Sequence, residues 1–69
     1  MTNTELLEAK IKESGKKKGY LAKKIGLSYG GFSARIKNKF DFTTTQVDTL
    51  CKELGITSLK EKEAVFFAC

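Results

Sequence analysis

The segment Lys18-Gly19-Tyr20-Leu21-Ala22-Lys23-Lys24-Ile25-Gly26-Leu27-Ser28-Tyr29-Gly30-Gly31-Phe32-Ser33-Ala34-Arg35-Ile36-Lys37 reads as a short helix, a four-residue turn and a second short helix. Leu21, Ala22 and Ile25 fall on one side of the first helix, which spans about residues 17–25. Gly26 stands where the chain must enter the left-handed region to end it. Leu27 supplies one apolar plug. Ser28 has the oxygen needed to cap the next helix, about residues 29–37. That helix has only Phe32 and Ile36 as large apolar anchors, so most of its circumference faces away from the core. Ala22 sits where the two helices must approach closely, and a bulkier side chain would push them apart.

The flanking sequence extends this helical reading in both directions. Thr2-Asn3-Thr4-Glu5 has the spacing of a capping box, with Thr2 as the cap and Glu5 reaching back. Helix 1 follows to Ser14, with Leu7 and Ile11 inward and Leu6 beside them. Glu8 and Lys12 are expected to pair one turn apart, and Gly15 closes the helix. After helix 3, Asn38-Lys39-Phe40-Asp41-Phe42 reads as a loop whose two phenylalanines tuck under the domain. Thr43-Thr44-Thr45-Gln46 is a second capping box, opening a helix with Val47, Leu50, Cys51 and Leu54 at helical spacing and Gly55 at its end. Ser58-Leu59-Lys60-Glu61 is a third, opening a last helix that ends in Val65-Phe66-Phe67. Phe66 and Phe67 are either both core or one core and one subunit contact. No stretch alternates with period two long enough for a strand. The expectation is an all-α, five-helix single domain over residues 1–69.

Sixty-nine residues leave room for one domain and no deep substrate cleft. Surface scaling predicts about 4,300 Å² exposed after folding, a thin margin of burial. The 41% apolar and 30% charged fractions suit a globular chain. No apolar run approaches the ~18 residues of a membrane span, and Leu6-Leu7 lies among Glu5, Glu8 and Lys10 rather than in a signal peptide. No long apolar face suits a membrane surface. Charge is the most informative bulk property. Residues 1–39 hold ten basic and three acidic residues, whereas residues 40–69 hold three basic and five acidic ones. A net charge of +5, concentrated in one half, is the footprint of a protein that meets a polyanion, and nucleic acid is the first candidate. With no histidine in the chain, a Ser-His or Cys-His nucleophile cannot be built. The acids form no paired arrangement, so an enzyme is not expected. Cys51 and Cys69 lack the partners of a zinc site. Cys51 reads as a buried thiol, which fits a reducing cytoplasm. No cofactor is expected.

Leu21-Ala22-Lys23-Lys24-Ile25-Gly26-Leu27-Ser28, followed by Phe32-Ser33 and Ile36, resembles the lambda-repressor-like (Cro and repressor, XRE-type) helix-turn-helix family. The Asn38-Lys39, Phe42-Thr43 and Val47-to-Ile56 segments look like the helix that follows the motif there. Ala64-Val65-Phe66-Phe67-Ala68 is similar to the ending of short phage and prophage regulators of Gram-positive bacteria. The resemblance spans about residues 5–67. It implies a Cro-type transcriptional repressor that binds double-stranded operator DNA as a homodimer, with helix 3 in the major groove. The DNA-contacting set expected on this reading is Lys17, Lys18, Ser28, Tyr29, Gly30, Ser33, Ala34, Lys37, Asn38 and Lys39. Lys17 and Lys18 would meet phosphate. Tyr29, Ser33 and Lys37 would meet base edges, and Ala34 a thymine methyl. Gly30-Gly31 would permit close approach, since no strand precedes them to make a phosphate loop. Two features depart from the family. The recognition helix starts Tyr29-Gly30-Gly31 rather than with long polar side chains, and Arg35 stands where many relatives bury an apolar residue. They leave a second reading open, an anti-repressor or co-repressor that keeps the fold but binds a larger phage repressor.

Overall fold

In the computed structural model, which describes residues 1–68, five α-helices follow one another: α1 Thr4–Ser14, α2 Lys18–Lys24, α3 Tyr29–Ile36, α4 Thr44–Leu54 and α5 Leu59–Phe66. Among the described residues there is no strand. The all-α, five-helix expectation therefore holds, with boundaries within a residue or two of those read from the sequence. Each helix sends at least one side chain into a common centre. Leu7, Leu21, Phe32, Ile36, Leu50 and Val65 are fully buried there. Phe42 extends this core, its ring edge-on to Phe32 at 6.1 Å and to Phe66 at 5.7 Å between centroids, the separation at which aromatic pairs attract. The radius of gyration is 10.6 Å, close to the ~11 Å of a compact chain of this length. The 4504 Å² of exposed surface agrees with the scaling value.

Local signals account for most boundaries. Gly26 has φ 74, the left-handed turn that separates α2 from α3. The Leu27 N–H donates back to the Ala22 carbonyl at 2.9 Å, tightening this turn. Ser28 Oγ accepts from Gly31 N and caps α3 as expected. Thr43 and Gln46 form the full reciprocal capping box. At Ser58 only half of the expected box forms. Ser58 Oγ accepts from Glu61 N, but the Glu61 carboxylate turns instead to Lys10 Nζ at 2.6 Å.

Three further expectations are corrected. The cap of α1 is Asn3, whose side chain accepts from Leu6 N, not Thr2. Thr2 is buried because the chain before α1 runs extended between the ends of α3 and α5. Its N–H donates to Asn38 Oδ1 and its carbonyl accepts from Asn38 Nδ2, both at 2.8 Å. Asn3 N donates to Val65 O, and Ala68 N to Met1 O. The Glu8–Lys12 pair is replaced by an ion pair at 2.8 Å between Glu8 and Lys18, the first residue of α2. Phe40 does not tuck under the domain and is 62% exposed. Phe42 already fills the space between Phe32 and Phe66, and Asn38 makes a left-handed turn, φ 64, two residues before Phe40. Of the two C-terminal phenylalanines, Phe66 is buried and Phe67 is exposed. Cys51 is a buried free thiol, with burial pushing its pKa up. Cys69 lies outside the described residues.

Candidate nucleic-acid interface

The outer surface of α2, the turn and α3 carries an unbalanced charge. Residues 14–40 contain eight basic residues and no acid. Two of the eight are neutralised by acids from other helices. Lys18 pairs with Glu8 of α1, and Lys16 with Glu53 of α4 at 3.0 Å. Lys16 also donates to the Glu53 carbonyl. The Tyr20 hydroxyl donates to the same Glu53 carboxylate at 3.1 Å. Glu53 is held below the ordinary carboxylate range by the Lys16 hydrogen bond first and the Tyr20 one second. Lys24 lies 5.5 Å over the Tyr20 ring. Lys17, Lys23, Lys24, Lys37 and Lys39 are exposed and find no carboxylate partner among the described residues.

The residues assigned to DNA from the sequence are distributed unequally around α3. Tyr29, at the start of the helix, is 60% exposed, and Gly30 faces open space. Lys37 ends the helix in an exposed position. Ser33 and Ala34 are half-buried, and Ser28 is exposed with its hydroxyl engaged as the cap. Asn38 is placed differently. One donor and one acceptor of its amide are committed to the Thr2 backbone, so it ties the N-terminal segment to the end of α3. Lys39 follows it, exposed, with its N–H bonded to the Ala34 carbonyl. Lys17 is the N-cap position of α2 and makes no side-chain cap, and its ammonium has no carboxylate partner among the described residues.

One side chain on this surface carries more structure than its sequence position suggests. Arg35 is half-buried. Its Nη1 donates to the Gly31 carbonyl at 3.1 Å, and its guanidinium carbon lies 5.5 Å from the Phe40 ring centre. Its Nε is buried with no acceptor. A Cβ added at Gly31 would sit tightly against Ser28 Oγ at 3.2 Å and near ordinary contact with that Nη1 at 3.4 Å. The sequence reading placed neither Arg35 nor Phe40 in the site. The available signal was composition, since Arg35 is the only arginine among thirteen basic residues.

A cleft of about 380 Å³ lies elsewhere. Asp48, Cys51, Lys52, Ile56, Leu59 and Lys62 help line it, and none of its lining residues comes from α2 or α3. Among the described residues, no three His, Cys, Asp or Glu side chains converge as a metal site requires. No helix is long and apolar enough to cross a membrane. Compared with models of protein families, with curated proteins and with solved structures, the chain matches none of them.

Proposed function

We propose that this chain is a sequence-specific DNA-binding transcriptional repressor of the phage Cro type. On this reading α2, the turn at residues 25–28 and α3 act as a helix-turn-helix within a lambda-repressor-like domain. Two copies place their α3 helices in successive major grooves of a pseudo-palindromic operator, about 34 Å apart. The observation that carries the reading is the charge segregation. Eight basic residues and no acid occupy residues 14–40, and five exposed lysines there have no carboxylate partner among the described residues. Such a surface gains free energy by releasing counterions from a polyphosphate. Lys17, Lys23 and Lys24 hold the backbone from α2, while Lys37 and Lys39 do so beyond the end of α3. The small side chains at Gly30, Gly31 and Ala34 let the α3 backbone come close to the floor of the groove.

A second reading is favoured by a separate observation. Met1, Leu59 and Phe67 are 73%, 68% and 54% exposed, and all three lie outside α2 and α3. They suit an anti-repressor or co-repressor that binds a larger repressor protein. Electrophoretic shift of duplex DNA from the region flanking the coding sequence, with and without the neighbouring repressor, separates the two. A shift by the chain alone is expected. A shift seen only through the added repressor overturns the direct DNA-binding reading.

A further inference from the structure

We infer that the cleft between α4 and α5 binds a small carboxylate with an apolar tail. Lys52 and Lys62 hold its head, and Cys51, Ile56 and Leu59 take its tail. None of the residues lining this cleft comes from α2 or α3. The inference therefore rests on neither reading above and adds a ligand site to the chain.

The first observation is the size and floor of the cleft. Its volume of about 380 Å³ falls within the ~300–1,000 Å³ of small-ligand sites. Cys51 and Ile56 form the floor and are 7% and 6% exposed. The Cys51 thiol is free and engages no hydrogen-bond partner among the described residues. Burial pushes its pKa up, so the floor is uncharged at neutral pH. Second, Leu59 opens α5 on the wall of the cleft and is 68% exposed. A tail lying on the floor would take this side chain out of water. Third, positive charge collects here against the local trend. Residues 40–69 hold three basic and five acidic residues, yet two of those three basic residues line this one cleft. Asp48, the acid that lines it, is bonded to Lys62 at 2.8 Å. Lys52 is exposed and has no carboxylate partner among the described residues. The start of α5 adds to this charge. Ser58 takes the N–H groups of Glu61 and Lys62, but those of Leu59 and Lys60 find no acceptor among the described residues. Unfilled N–H groups at a helix start favour an anion.

These features select one ligand chemistry. A neutral apolar molecule would leave Lys52 and the start of α5 unanswered. An amine with the same tail would meet two ammonium groups. An inorganic anion would gain nothing from Cys51, Ile56 and Leu59, and the lysines around α2 and α3 offer it more charge. A carboxylate with an alkyl tail uses both halves of the cleft. Lys62 need not give up Asp48 to bind it, because an ammonium has three donors. The bound ligand bridges α4 and α5, and by mass action it stabilises the fold.

The test is titration of the full chain with octanoate, followed by amide-correlation NMR. Saturable shifts are expected at Cys51, Lys52, Ile56, Leu59 and Lys62, with none in α2 or α3. Octan-1-ol, octylamine and acetate are the comparators, which in turn remove the charge, reverse it and remove the tail. Each should bind more weakly than octanoate. Lys52 and Leu59 are exposed, so their substitution leaves the core intact, and helical circular dichroism checks each variant. Lys52→Gln should weaken octanoate binding by up to about 5-fold and leave octan-1-ol binding unchanged. Leu59→Ser should weaken octanoate and octan-1-ol alike, by about 10-fold. Lys37→Gln, on the other side, should change neither. If octan-1-ol or octylamine binds as tightly as octanoate and Lys52→Gln has no effect, the cleft is an apolar hollow and the inference falls. If shifts do not saturate, or map to Met1 and Phe67 instead, the inference falls as well. None of these outcomes bears on DNA binding, which is measured separately with duplex.

Discussion

Gly26 and Gly30 have opposite energetics, and substitution at each tests a different part of the account. Gly26 has φ 74, a conformation that costs an L-residue about 1–2 kcal/mol. Gly26→Ala should lower stability by about that amount in chemical denaturation, and no loss would mean that the turn does not depend on the left-handed residue. Gly30 lies inside α3 with nothing within 4 Å of an added Cβ. Gly30→Ala should therefore raise stability by about 0.5–1 kcal/mol, the helix gain of alanine over glycine. The same variant should weaken DNA binding if a bare backbone at residue 30 is what lets α3 approach the groove. Tighter or unchanged binding would remove that role from the glycine. Among the lysines, Lys17 has no carboxylate partner among the described residues and Lys18 is already paired with Glu8. Lys17→Ala should lower affinity for all duplexes alike and reduce the salt slope by about one. Lys18→Ala should reduce it less. The reverse order in titrations at several salt concentrations would show that α2 presents another face to the backbone.

At the scale of elements, the α2–α3 pair depends on a small residue at its contact. Ala22 is buried, and its carbonyl accepts the Leu27 N–H across the turn. Ala22→Leu should overpack this contact at a cost of about 1–3 kcal/mol, a large share of the stability of so small a domain. An unchanged thermal midpoint would show that Ala22 does not set the separation of the helices. The helices and their stops were legible in the sequence because they are fixed locally. Ser28 and Thr43 each find their partner three residues on, and Gly26 needs only its own φ. What was not legible depends on residues far apart in the chain. Thr2 looked like a cap, yet its backbone is claimed by Asn38, 36 residues away, so Asn3 caps instead. Glu8 and Glu61 had plausible local partners and took distant ones, Lys18 and Lys10. Phe40 and Phe42 are two residues apart and similar in pattern. Only the assembled core shows that there is room for one ring between Phe32 and Phe66. The Arg35–Phe40 contact was not legible for the same reason, since the Arg35 bond to the Gly31 carbonyl is local but the exposure of Phe40 is not.

The whole molecule carries a basic side over α2 and α3 and four ion pairs between elements, two of which tie Lys16 and Lys18 of that side to α4 and α1. Asp48 is held below the ordinary carboxylate range, first by its hydrogen bond from Lys62, and Glu53 by Lys16 and then Tyr20. A carboxylate depressed in the folded state adds stability that is complete above its unfolded value and is lost as pH falls through the folded one. Lys10 and Lys62 are raised by their hydrogen bonds to Glu61 and Asp48. Their contribution is complete below the ordinary lysine value and lost as pH rises through the raised one. The thermal midpoint should therefore be flat around neutrality and fall below about pH 4. Glu53→Gln should make the acid fall shallower, and an unaltered acid limb would show that the Lys16–Glu53–Tyr20 cluster adds nothing to stability. The central claim is that the lysine-rich side meets a phosphate backbone, and the most direct measurement is the affinity for duplex DNA as a function of salt. A surface touching about six phosphates should give a log–log slope near −5. A flat response between about 50 and 200 mM salt, even with measurable binding, would contradict the account.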